Sequence, residues 1–210
     1  MPPQQQPPDG KQDPPTTPSP IPTWAQTSKD TWGSPLVVPE WQEKSTHENH
    51  RLTNGWRGTD LCHHIHSPVR ITNYHAAFAL RGGVGTTLTG LAHFTTAAES
   101  HKGYCHGGSM CAVMDDVIGW TGFLATGECR PWSGFTAQIN TAMKAPIKVG
   151  SFLVVRGTIV RWEGRKVFVE AELVAEGGVV HAKADGLVIL NKELLDSISE
   201  KKRKFGSAEE

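Results

Sequence analysis

No run of apolar residues in the 210-residue chain approaches the roughly 18 needed to span a bilayer, and the Pro- and Gln-rich start lacks the apolar core of a secretory signal. A soluble chain that is not secreted is expected. Arginine is absent from residues 1–50, where Asp9 and Asp13 do occur, which argues against a transit peptide. The cytosol is the expected compartment, with the mitochondrion the remaining option. Cysteine is sparse: Cys62, Cys105, Cys111 and Cys129 form no CxxC pair and no framework of the kind that staples small secreted domains. A reducing environment suits them. An excess of either charge is also missing, with 21 Lys and Arg against 21 Asp and Glu. Nothing in the overall electrostatics therefore points to nucleic acid or an anionic membrane as partner, and a small ligand fits better.

What the sequence does contain is enough for one domain of about 100 to 150 residues with extensions. Eleven of the 14 prolines fall within residues 1–39, among Gln, Thr and Ser. Such a composition cannot bury enough apolar surface to offset the ordering of its backbone, so residues 1–34 are expected to be a disordered leader. A solvated tail is the simplest reading of it, ahead of a ligand for proline-binding modules. Residues 35–73, with Trp41 and Trp56 among polar neighbours, read as an extension that packs a short helix on the domain. The domain itself is expected over 74–191. Residues 192–210 follow as a polar helix or tail whose Lys201-Lys202-Arg203-Lys204 run reads as solvated.

Within 74–191 the pattern is that of strands and turns. Residues 74–80 and 87–95 flank Gly82-Gly83-Val84-Gly85, a hairpin turn rather than a phosphate loop, because no Lys-Ser/Thr ending follows the glycines. Residues 106–125 predict a helix: Met110, Val113, Met114, Val117, Ile118, Thr121 and Leu124 recur at three-and-four spacing. Gly119 and Gly122 each cost such a helix about 1 kcal/mol against Ala, which implies that something packs closely there. Strands are then predicted over 135–143, 152–162, 166–175 and 179–190. Val167, Val169, Ala171 and Leu173 alternate with Lys166, Phe168, Glu170 and Glu172, as a half-buried strand requires. The reading is α+β: a hairpin, one long helix, and a four-stranded meander, with a single curved antiparallel sheet wrapped around the helix.

A helix N-terminus presents unpaired N–H groups and partial positive charge, and Gly107 and Gly108 leave it open to a ligand oxygen. Asp115, seven residues after Gly108 and eight after Gly107, returns at about 100° per residue to within about 20° of Gly108 and to the same side of the helix as Gly107. Cys111 and Gly122 share that side. Cys105-His106 invites a Cys/His hydrolase, but residues adjacent in sequence seldom meet as nucleophile and base, and no third orienting group is evident. Cys62, His64 and His66 would share one side of a strand, but without a second half to a zinc site a polar surface segment is the better reading. No metal is expected.

The run Glu99-Ser100-His101-Lys102-Gly103-Tyr104-Cys105-His106-Gly107-Gly108, followed by Asp115, resembles the signature of hotdog-fold thioesterases of the phenylacetic-acid-degradation type. There a Gly-x-x-His-Gly-Gly stretch opens the central helix and an acid follows the His by nine residues. The resemblance extends through Gly134-Phe135-Thr136-Ala137, Lys144-Ala145-Pro146-Ile147 and Glu163-Gly164-Arg165-Lys166. It implies a hotdog fold and hydrolysis of acyl-CoA to the free acid and CoA, without metal or organic cofactor. It makes Gly107 the oxyanion-hole amide, Asp115 the nucleophile or general base, and Thr136 the Ser/Thr that some members contribute from a neighbouring subunit. His106 would cap or orient the turn. With Gly108, Ser100, Lys144, Lys148, Arg165 and Lys166 it would line the substrate side. Ser100 departs from the pattern, since several relatives carry Asn there. A homodimer or dimer of dimers is implied, with sites at the interface. The rival readings are a hydratase or dehydratase of acyl thioesters on the same fold, and a non-catalytic acyl-CoA-binding or scaffold protein.

Overall fold

Alternation of apolar residues and glycine-bearing turns resolves, in a computed structural model that describes residues 61–62, 67–77, 82–127, 132–193 and 195–196, into eight strands and one long helix. In chain order these are β1 (Val69–Ala77), β2 (Thr87–Phe94), β3 (Glu99–His101), β4 (Tyr104–Cys105), α1 (Gly107–Phe123), β5 (Gly134–Met143), β6 (Phe152–Glu163), β7 (Lys166–Val174) and β8 (Val180–Leu190). The leader 1–34, residues 35–60, the His63–66 part of the candidate zinc cluster and the basic run 201–204 lie outside the described residues. None of the described helices is long and apolar enough to cross a membrane.

Six strands form one antiparallel sheet in the order β1-β2-β6-β7-β8-β5, while β3 and β4 pair on their own just before α1. The period-two pattern of β7 is realised as read: Val167, Val169, Ala171 and Leu173 are all buried, and Lys166 and Glu170 between them are exposed. The expected four-stranded meander is corrected. Only β6, β7 and β8 follow one another in the sheet, whereas β5 pairs with β8 at the far edge. Alternation marks a strand's faces and not its neighbours. With β5 placed at that edge, α1 touches all six strands, as in a hotdog fold.

The helix is buried where the stripe was expected: Met110, Val113, Met114, Val117, Ile118 and Thr121 all lie in the core, and Leu124 caps it. From Val117 to Phe123 every residue is buried, so the second half of α1 has no solvent face. The first half keeps one. Each fully buried Val, Leu, Ile or Met contributes about 1.5 to 3 kcal/mol, which fixes the helix on the sheet far more firmly than its helix propensity would.

The two helix glycines differ. A Cβ on Gly122 would lie 2.7, 2.8 and 2.9 Å from three side-chain carbons of Val188. Val is stiff at χ1 and cannot turn away. At Gly119 the nearest neighbour is Thr136 Oγ1 at 3.5 Å, an ordinary contact. Gly122→Ala is therefore expected to destabilise the fold by about 1 to 3 kcal/mol through overpacking. Gly119→Ala should be neutral or stabilising by up to about 1 kcal/mol. Urea unfolding of the two variants checks this, and equal effects would contradict it.

Candidate active site

The N-terminus of α1 is tied down from both sides. His106, in extended backbone conformation, is the N-cap: its Nδ1 accepts from the Gly108 N–H at 2.8 Å. Its carbonyl accepts from the Ser109 N–H at 2.9 Å and the Ser109 hydroxyl at 2.6 Å. Its own N–H donates to Ala98 O at 2.7 Å, and the Cys105 N–H donates to Ile147 O at 2.9 Å. Of the first three helical amides, those of Gly108 and Ser109 are thus satisfied internally. The Gly107 N–H has no acceptor among the described residues. It points out of the positive end of the helix dipole, where an anionic oxygen is favoured.

This geometry separates residues that sequence had grouped. Gly108 cannot serve a ligand with its amide, because His106 already takes it; the pair builds the cap instead. Cys105 is buried, and burial first, then the nearby Glu99 charge, pushes its thiol above the ordinary range. That is the reverse of an activated nucleophile. No group of three or more His, Cys, Asp or Glu side chains among the described residues could hold a metal ion, and Cys62 is itself buried.

Asp115 is exposed, the one such residue of α1 beyond Gly108. Asp116 beside it is half-buried and has an interaction of its own. Gly107, the partly exposed Cys111, Asp115 and Gly119 form one i, i+4 row that winds around the helix by about 40° at each step. Against that row runs β5. The Thr136 hydroxyl lies at Gly119, one turn beyond Asp115, and the Met143 thioether lies at Gly107. Ile139, between them, packs on the core. The seam between α1 and β5 therefore carries the candidate residues, and among the described residues it is open, since β5 there has β8 as its one strand neighbour and leaves Phe135 and Met143 exposed. Along the helix axis, however, eight residues at 1.5 Å each put Asp115 about 12 Å from Gly107.

The basic candidates divide between two ends. Lys144 follows Met143, with its amide on His181 O at 2.8 Å, and Lys148 bridges Tyr104. Both are exposed near Gly107, as is Ser100 on the hairpin that leads into the cap. Arg165 instead donates from Nε to Leu190 O at 2.7 Å, and Leu190 pairs with Gly134. Lys166 pairs with Ile189 at the same level. Gly134 and Met143 are opposite ends of β5, about 30 Å apart at strand rise. Within one chain Arg165 and Lys166 therefore lie at the opposite end of β5 from Lys144 and Gly107. A shallow groove of about 650 Å³ lies elsewhere, on the sheet face away from the helix, lined by Asn140, Arg156, Glu170, Glu172, Lys183 and Asp185. It contains none of Gly107, Asp115 or Thr136. Sequence reasoning missed Met143, because nothing in an edge-strand methionine signals that it folds back onto a glycine.

The thioesterase superfamily is matched by residues 102–182. The chain is 28% identical over 88 residues to the acyl-coenzyme A thioesterase THEM4 of Bos taurus, a match covering 41% of this chain and 34% of that protein's length. It is 24% identical over 161 residues to an uncharacterized protein of Schizosaccharomyces pombe, covering 73% of this chain and 89% of that one. The crystal structure of zebra fish thioesterase superfamily member 2 superposes with a TM-score of 0.50 at 15% identity, covering 70% of this chain and 97% of that chain.

The state of Cys105 can be measured directly. Iodoacetamide at neutral pH is expected to leave Cys105 unlabelled in the folded protein and to label it once urea unfolds the chain, as read by peptide mass spectrometry. Rapid labelling in the folded state would contradict the buried, protonated thiol.

Proposed function

We propose that this domain, a hotdog fold of the thioesterase superfamily, hydrolyses acyl-CoA thioesters at a site shared between two copies of the chain. The observation that carries the proposal is the single free amide at the start of α1. Thioester hydrolysis places negative charge on the carbonyl oxygen. A fixed N–H in a helix dipole, with its neighbours already capped, is a donor that needs no reorganisation when that charge develops.

The carbonyl carbon also needs a nucleophile, and Asp115 is the exposed acid on the same line. The two cannot meet on one helix. An oxyanion sits about 2.9 Å from its donor and an attacking atom about 3 to 3.5 Å from the carbon, which falls well short of an axial gap of about 12 Å. Two helices running antiparallel side by side close that gap, bringing Gly107 of one copy opposite Asp115 of the other. The open edge of β5 lies beside α1, and an unpaired strand edge of this length is a ready surface for self-association. Thr136 sits one turn from Asp115. It travels with Asp115, so that one chain supplies the acid and Thr136 and the other supplies the amide.

In this reading the substrate carbonyl accepts from the Gly107 N–H. Asp115 either attacks the carbonyl carbon, giving an anhydride that water then opens, or takes the proton of an attacking water. The C–S bond breaks, CoA leaves as the thiol after taking a proton, and the acyl group leaves as the acid. Thr136 would hold the water or the carboxylate in place. Lys144 and Lys148, exposed at the Gly107 end, suit the phosphates of CoA, and Ser100 stands on the hairpin above the same amide.

Asp115→Asn is expected to lower acyl-CoA turnover by about 10² to 10⁴, the range for a lost acid-base group. Asp116→Asn should do far less. Gly107→Pro removes the N–H at a helix position where proline is tolerated, after a residue already extended as proline requires; its ring pushes aside the flexible end of Met143, and kcat should fall by at least about 10² to 10³. Steady-state kinetics on acyl-CoA substrates check all three, and parental turnover by a correctly folded Asp115→Asn would remove the acid from the mechanism.

A further inference from the structure

Met143 packs on the residue whose amide is the proposed oxyanion donor. It ends β5, half exposed, and its thioether reaches back onto the first residue of α1: a Cβ built on Gly107 would lie 2.8 Å from Sδ and 2.9 Å from Cε. The space beside Gly107 is therefore filled to less than the depth of a methyl group. The capping bond from Gly108 to His106 holds the other side of the amide rigid. The strand side, made of one flexible side chain, is the adjustable wall.

We infer that Met143 is a specificity-determining residue: its thioether walls the acyl channel beside Gly107 and selects acyl groups unbranched at the carbon next to the carbonyl. The inference rests on the thioesterase reading above. A carbonyl oxygen accepting from the Gly107 N–H stands about 2.9 Å from that nitrogen, which brings the carbonyl's first substituents against whatever packs on Gly107. Of the two substituents, the acyl chain is the one that lies against Met143. Along the seam with α1, Met143 and Ile139 are apolar, whereas Lys144 and Lys148 stand exposed at the rim where the polar, phosphate-bearing arm would leave.

A straight chain offers a slim methylene at this point. Methionine is unbranched, with three rotatable bonds, and at the end of an edge strand it can swing enough to admit that group. A methyl branch on the same carbon needs the volume that Sδ and Cε hold. A difference of one methylene in a fitted pocket is discriminated by about 10- to 200-fold.

The test compares kcat/KM for butyryl-CoA and isobutyryl-CoA, which have equal carbon number, in the parent, Met143→Ala and Met143→Leu, with circular dichroism confirming the fold. The parent should favour butyryl-CoA by about tenfold or more. Met143→Ala should abolish that preference, and Met143→Leu, close in volume, should keep it. An unchanged preference in Met143→Ala, or an equal loss on both substrates, overturns the assignment. A second readout is the affinity for straight and branched ketone analogues of the two substrates, in which a methylene separates sulfur from the carbonyl so that hydrolysis cannot occur. If the parent hydrolyses no acyl-CoA, the thioesterase reading fails while these affinities still decide on Met143. A straight-over-branched ratio that vanishes in Met143→Ala supports the wall, and the absence of any such ratio in the parent overturns it.

Discussion

One backbone amide at the start of α1 is left without an acceptor among the described residues, and much of the surrounding structure is arranged so that it stays so. A helix begins with several unpaired N–H groups, and a chain that caps all of them has nothing to offer a ligand. Here His106 takes two, through its ring nitrogen and its carbonyl, and is itself anchored to Ala98. The β3–β4 hairpin and the segment around Ile147 hold the turn from outside. The burial of α1 from Val117 onward fixes the other end of the helix, so the amide is aimed by the whole core rather than by its immediate neighbours.

On the proposed reading, that same rigidity leaves the site incomplete in one chain. A straight α-helix cannot bring residues eight apart to a common atom, however well they share a face. The seam between α1 and β5 is open along its length, and β5 is the outermost strand of the sheet. A second copy meeting that edge would supply the missing acid and give the strand's unpaired groups partners at once. In this reading catalysis and assembly depend on the same surface.

The sequence revealed the parts of the molecule that local periodicity encodes. The stripe on α1 and the alternation of β7 carried over residue for residue; of the two helix glycines read as points of close approach, Gly122 is one, against Val188, whereas Gly119 has only an ordinary contact with Thr136. Strand order was not legible, because β5 reaches its neighbour β8 through a long-range pairing that leaves no local trace. In the candidate site, spacing alone puts Asp115 on the side of the helix that carries Gly107 and Gly108, and the same arithmetic contained the axial gap that divides Asp115 from Gly107. The basic residues were harder. Lys144 and Arg165 look alike in a sequence, and only the strand register shows that opposite ends of β5 separate them. Met143 left no signal, since its contact with Gly107 depends on how the last residue of an edge strand folds back.

The division of one site between two chains is the central claim, and a mixed dimer tests it most directly. One chain would carry Gly107→Pro and the other Asp115→Asn, with different affinity tags so that the heterodimer can be purified. If the site is shared, the intact Gly107 of the second chain faces the intact Asp115 of the first. The heterodimer then regains half the parental turnover per dimer, although each homodimer is nearly inactive. If the amide and the acid act within one chain, both sites of the heterodimer are broken. It would then be no more active than either homodimer, which would contradict the account.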